Sequence, residues 1–328
     1  MFKYAMKAAG RSRPQLKDRI VKFEALHLEP LIELHLLGVD DLLGGAAEIE
    51  RNCREYSGCG YIVHFPVSDA KTKYLFDMYS NEEEKIKSAF DLCEKIGARE
   101  LVIHRCFGFD MSLDKKQSEE EFFDTLAIWS GWAKDRGLNI LVENYGLAWL
   151  PKGMGRDFVV SPLDHFFPWE LAAFNAALKR SGLHNVSILL DTAHAVITSN
   201  MFNMLKELPE LASDKRFGGI YGDDLAKTRV LRPEDFVFDF INYFHVSDSF
   251  VWKRPDGKEN MQKFLYSEGL PLGKGNVDLD KFFKNMTGDK MLVMEIEPED
   301  GDYNNNIAQF EAVKYFMERF GRRAEACV

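Results

Sequence analysis

The sequence predicts an α/β fold: a single (β/α)₈ barrel spanning residues 1–328. Three observations support it. Eight short, β-rich apolar runs recur along the chain, amphipathic helical stretches separate them, and six consecutive runs end in metal-capable side chains. A doubly wound open sheet is the main rival, but no Gly-rich dinucleotide-binding loop follows the first run. The chain has "KAAGRSR" there, with a single glycine.

The runs are "FKYAMKA" (2–8), "PLIELHL" (30–36), "GYIVHFPV" (60–67), "ELVIHRC" (100–106), "NILVENY" (139–145), "VSILLDTAH" (186–194), "INYFHVSD" (241–248) and "MLVMEIEP" (291–298). Runs such as Ile188, Leu189 and Leu190 lack polar alternation, the pattern of a parallel strand buried on both faces. Between them, "NEEEKIKSAFDLCEKIG" lines Ile86, Ala89, Phe90, Cys93 and Ile96 on one face, with Asn81 as expected N-cap and Gly97 as stop. "SEEEFFDTLAIWSGWAKDRG" opens with a capping-box pattern, Ser118 to Glu121, and stripes Phe122, Leu126, Trp129 and Ala133. The last helix carries Ile307, Phe310, Val313, Phe316 and Phe320, read as core. Long connections near 146–168, 196–240 and 249–276 follow the fifth, sixth and seventh strands and should rise over the C-terminal face, where barrel active sites sit.

A net charge of −10 and a pI near 5.4 argue against a large electrostatic footprint on DNA or on an anionic membrane. No apolar run has the length of a membrane span. Lys3 and Lys7 interrupt the N-terminal apolar residues, unlike a signal peptide. Cys53, Cys59, Cys93, Cys106 and Cys327 are odd in number and scattered, which suits reduced thiols in a cytoplasmic protein.

The strand ends carry the chemistry. His64 ends the third run, His104 the fourth, Glu143 the fifth, Asp191 and His194 the sixth, His245 and Asp248 the seventh, Glu295 and Glu297 the eighth. Glu143, Asp191, His245 and Glu295 supply three oxygen donors and one nitrogen, a mostly hard set suited to one divalent ion. Mn²⁺ fits best, and Co²⁺, Mg²⁺, Zn²⁺ and Fe²⁺ are compatible. Without a cation the three carboxylates would repel, and one would take up a proton. Each has a plainer alternative: Glu143 as ion-pair partner of Arg105 or Arg156, His245 as a hydrogen-bonded core histidine. Strand pleating puts Glu295 and Glu297 on the same side, and Glu295 is the preferred ligand. His64 and His104 stand between ligation and an outer role. Phe65, Phe107, Phe109, Trp149 and Trp252 lie just beyond strand ends, placed either to stack on a substrate ring or to cap the barrel. Lys274, in "PLGKGN", is a candidate for a substrate anion.

The fragments "VIHRCF", "ILVENYG", "LLDTAHA", "YFHVSDS", "LPLGKGNVD" and "LVMEIEP", in this order, resemble the xylose-isomerase-like superfamily of TIM barrels, over nearly the whole chain. The resemblance implies a metal-dependent sugar isomerase or epimerase. In its ketose 3-epimerases the metal is held by residues matching Glu143, Asp191, His245 and Glu295. The two glutamates there exchange the substrate proton, and the histidine matching His194 contacts substrate. His64, His104, Trp149 and Lys274 complete the expected substrate-side set. Those epimerases also use a Glu and an Arg at positions that hold Trp149 and Val251 here. A lyase or dehydratase of the same fold, inosose-dehydratase-like or C-glycoside-cleaving, is therefore the runner-up. Endonuclease IV shares all seven of His64, His104, Glu143, Asp191, His194, His245 and Glu295, but its Asp-Arg-His motif falls on Ser267, Glu268 and Gly269. The expected partner is a small carbohydrate or glycoside rather than a nucleic acid or membrane, and a homo-oligomer is compatible with the fold.

Overall fold

A computed structural model describes residues 2–66, 83–104, 115–149, 158–160, 166–253, 260–284 and 286–321. Its strands are β1 (Phe2–Ala9), β2 (Leu31–His35), β3 (Gly60–His64), β4 (Glu100–His104), β5 (Asn139–Glu143), β6 (Leu147–Trp149), β7 (Phe158–Val160), β8 (Val186–Asp191), β9 (Tyr243–Val246) and β10 (Lys290–Met294). Each of the eight apolar runs supplies one strand of a closed parallel barrel, in the order β1-β2-β3-β4-β5-β8-β9-β10 and back to β1. β6 and β7 form a separate antiparallel pair in the connection after β5. The predicted (β/α)₈ barrel is the fold.

Alternation along the strands sorts the core into two parts. Ala5, Ile62, Val102, Leu141, Leu189 and Val293 form a small cluster of their own, which reads as the plug of the barrel. The residues flanking each of them, such as Tyr61 and Val63 or Ile188 and Leu190, belong to the larger layer shared with the helices. Successive side chains point to opposite faces of a strand. Two residues beyond the six plug positions, on the same inward face, stand Lys7, His64, His104, Glu143, Asp191 and Glu295. The apolar plug therefore forms the floor on which the polar residues sit.

The helices differ from expectation at their starts. The stretch containing Ser118 is helical from Lys115 to Asp135, so Ser118 lies inside the helix and is not its N-cap. Lys115, Lys116 and Gln117 are good helix formers and extend it backwards. The helix Glu83–Ile96 ends as predicted at Gly97, whose φ of +74° suits glycine; Asn81 lies outside the described residues. In the last helix, Ile307–Phe320, Val313, Phe316 and Phe320 are buried, each such burial contributing about 1.5–3 kcal/mol. Ile307, in its first turn, is exposed. No described helix is long and apolar enough to cross a membrane.

Candidate metal centre

The sixth run, read as strand to residue 194, stops at Asp191. There the chain turns directly into the helix Thr192–Glu207, because Asp191 Oδ1 accepts the His194 backbone N–H at 2.8 Å and caps it. His194 therefore sits in the first helical turn and not on the strand. Asn144 joins this corner to the end of β5. Its side-chain oxygen accepts the Asp191 N–H at 2.6 Å, and its carbonyl accepts His194 Nδ1–H at 2.7 Å.

Glu143, Asp191, His245 and Glu295 converge, each offering a ligand atom within 4.8 Å of the others. His245 Nδ1 lies 2.6 Å from Glu295 Oε2, 3.3 Å from Glu143 Oε1 and 4.0 Å from Asp191 Oδ2. Glu143 Oε1, Asp191 Oδ2 and His245 Nδ1 are all buried, yet none makes a hydrogen bond of acceptable geometry to the described residues. His194 Nδ1 also comes within 3.3 Å of Glu143 Oε1, but its N–H is spent on Asn144. Buried polar atoms without partners are costly, and three in one such cluster match what a divalent ion would satisfy. These residues fit a metal.

The remaining atoms are held from behind. Glu143 Oε2 accepts from His104 Nε2 at 2.6 Å and faces His64 Nε2 at 3.3 Å, while His64 Nδ1 meets the Phe65 carbonyl at 2.8 Å. Arg105 and Arg156, the ion-pair alternatives, lie outside the described residues. Glu295 Oε1 is bound by Lys7 Nζ at 3.1 Å, and Lys7 also binds Glu297 Oε1 at 3.1 Å. Of the two glutamates after β10, Glu295 enters the cluster and Glu297 stays outside it on Lys7. His64, His104 and Glu143 form a second convergent group, as do Glu33, His64 and His245.

Electrostatics follow from this packing. Burial would raise the Glu143 carboxyl, but the charges of His104 and His245 outweigh it and hold the group well below its ordinary value. Glu295 is likewise held down against burial, by Lys7 and His245. Asp191 goes the other way. Burial pushes it up to about 7, with Glu143 and Glu295 adding to the rise against His194 and His245. His245 is raised well above the ordinary histidine value because Glu33, Glu143 and Glu295 outweigh its desolvation. Below about pH 7 a metal must therefore displace a proton from Asp191, and one from His245 as well. Mn²⁺ affinity is expected to be at least about tenfold weaker at pH 6 than at pH 8, measured by titration calorimetry, each displaced proton weakening it tenfold per pH unit below its pKa. Equal affinities at the two values would contradict this balance.

Other sequence-predicted residues separate. Asp248 belongs to none of the convergent groups among the described residues. Its carboxylate accepts the backbone N–H groups of Ser249, Gly273, Gly275 and Val277 at 2.8–3.1 Å and shapes the loop after β9. A Cβ on Gly275 would stand 2.1 Å from the Ser249 carbonyl oxygen and 2.4 Å from Asp248 Oδ1, so this position has no room for a side chain. Gly275→Ala is expected to cost about 1–3 kcal/mol in urea denaturation; an unchanged midpoint would refute that reading. Lys274, in the same loop, is exposed with its Nζ 2.8 Å from Glu299. Phe65 and Trp252 are buried. Phe107, Phe109 and the side chain of Trp149 lie outside the described residues.

Over residues 31–316 the sequence matches the family of xylose isomerase-like TIM barrels. The chain belongs to that family. Among solved structures, this xylose isomerase-like barrel is similar to D-allulose 3-epimerase from Methylomonas sp. in complex with D-allulose. The TM-score is 0.60 at 18% identity, with 97% of each chain covered. It is also similar to 3-keto-D-glucoside 4-epimerase from E. coli (0.52, 15% identity, 95% of this chain and 100% of that one). L-Ribulose 3-epimerase is a third (0.54, 14% identity, 96% and 94%). At these identities the likeness establishes the fold. Comparison with curated proteins gives no match.

Sequence reasoning missed Lys7, Glu33, His35, Asn144 and Glu268. Glu33 is fully buried on β2 and receives His245 Nε2 at 2.9 Å and His35 Nε2 at 2.9 Å. Glu268 Oε1 lies 3.2 Å from His194 Nε2. Lys7 and His35 had a legible signal. Lys7 follows "AM" at the inward period of the first run, and His35 follows Glu33 at the inward period of the second. Glu268 had only a motif position to mark it, the one matching the Asp-Arg-His motif of endonuclease IV, and its approach to His194 depends on a loop path that only the folded chain reveals.

Proposed function

We propose that this barrel is a divalent-metal-dependent isomerase or epimerase acting on a sugar, keto-sugar or related polyol. The observation that carries the reading is the convergence of three partnerless buried donor atoms, Glu143 Oε1, Asp191 Oδ2 and His245 Nδ1, beside Glu295. When bound, a divalent ion there supplies a Lewis acid that makes a C–H beside a carbonyl more acidic. Glu143 and Glu295 reach the cluster from β5 and from the end of β10, separated around the rim by β8 and β9. One takes the substrate proton and the other returns a proton to the opposite face. His194 orients a substrate hydroxyl. The mixed donor set favours Mn²⁺ over softer-ligand metals.

A lyase or dehydratase has one observation of its own. His194 Nδ1 donates to the Asn144 carbonyl, so its Nε2 can meet Glu268 only through a shared proton, a group suited to a leaving oxygen. For the nuclease alternative, the residues matching a third metal position are otherwise engaged: Ser267 on Ser249 at 2.7 Å and Glu268 on His194. The test is elemental analysis of the purified protein, followed by turnover of keto-sugars in D₂O. One Mn- or Co-like ion per chain and deuterium at the inverted carbon are expected. Elimination without inversion points to the lyase. Three zincs per chain, or no ion at all, would overturn the reading.

A further inference from the structure

We propose that Glu33 is a positioning residue that sets which nitrogen of His245 faces the metal centre; the proposal rests on the metal reading above. Glu33 and His245 are both fully buried. Glu33 Oε2 lies 2.9 Å from His245 Nε2, and Glu33 Oε1 lies 2.9 Å from His35 Nε2. A carboxylate between two imidazoles only accepts, so both rings carry their proton on Nε2. That leaves the lone pair of neutral His245 on Nδ1, the atom 2.6 Å from Glu295 Oε2 and 3.3 Å from Glu143 Oε1. The opposite tautomer would direct an N–H into the space between the carboxylates and bar an ion from it.

The clamp reaches further than one ring. His35 stacks on His64 with ring centroids 4.2 Å apart and planes at 26°. It also lies 3.5 Å from Glu295 Oε1, the oxygen bound by Lys7. Glu33 thus fixes one histidine at the centre and a second nearer the mouth. A carboxylate that only filled the core would be replaceable by an apolar side chain at little cost, whereas one that orients a ligand imidazole controls metal affinity.

Glu33→Gln separates these roles, because it keeps the volume but offers one acceptor oxygen where two N–H donors arrive. Titration of Mn²⁺ into metal-free protein is expected to show about 10- to 100-fold weaker binding for the variant, with circular dichroism unchanged. If Glu33→Gln fails to fold, the wild type still decides. In the Zn²⁺-loaded protein, ¹⁵N spectra of the imidazoles should place the His245 proton on Nε2 and the metal on Nδ1. Unchanged Mn²⁺ affinity in a folded variant, or metal on Nε2 of His245, would overturn the role of Glu33 alone. A wild type that binds neither ion would overturn the metal reading beneath it.

Discussion

Asp191→Ala is expected to abolish stoichiometric metal binding and turnover while the barrel stays folded. Asp191 does two jobs with two oxygens: Oδ1 caps the helix Thr192–Glu207, and Oδ2 is buried in the cluster without a partner. Alanine removes both. The lost cap costs about 1 kcal/mol, which a barrel of this size tolerates. Part of that loss is offset, because a buried carboxyl pushed up to about 7 is itself destabilising once ionised. Asp191→Asn separates the jobs, since the amide oxygen still caps the helix but the anionic ligand is gone. Both variants should lose the ion by elemental analysis, and only alanine should lower the urea midpoint. Full metal content in either one would remove Asp191 from the ligand set.

Glu143→Gln and Glu295→Gln are each expected to lower kcat by about 10²–10⁴, the range of general acid–base contributions, even where some metal is retained. The supports of the two residues differ. Glu143 Oε2 is held by His104, with His64 beside it, whereas Glu295 Oε1 is held by Lys7. Each is left with one oxygen for the centre. A glutamine keeps a carbonyl oxygen for weak ligation but has no basic oxygen to take a proton. Single-turnover reactions in D₂O would distinguish the two faces. Loss of exchange in one variant with retained exchange in the other marks which glutamate removes the first proton. An undiminished rate in Glu143→Gln would eliminate it as a base, and turnover of a keto-sugar with neither exchange nor elimination would defeat both the epimerase and lyase readings.

The barrel was legible because eight apolar runs, some of them such as Ile188–Leu190 with no polar alternation, recur with amphipathic helical stretches between them, the pattern of a parallel sheet covered by helices. The four converging residues were legible for a related reason. Parallel strands in one barrel bring their C-terminal ends to one rim, and "LVE", "LLD", "YFH" and "VME" each place their polar residue there. Asp248 shows where that rule fails. It stands two residues beyond the end of β9, where the strand period no longer applies, and four backbone N–H groups claimed its carboxylate. His194 shows the same limit, because the N-cap at Asp191 had already replaced strand geometry with helix geometry. Glu33 depended wholly on the folded barrel. Along the chain it is an acid between two aliphatic residues, Ile32 before it and Leu34 after. Its meaning comes from His245, 212 residues away, which barrel closure through β1 and β10 brings within 2.9 Å. Period and composition assign a residue to the inward face, but which inward residue meets which is set by the stagger of the strands around the closed barrel.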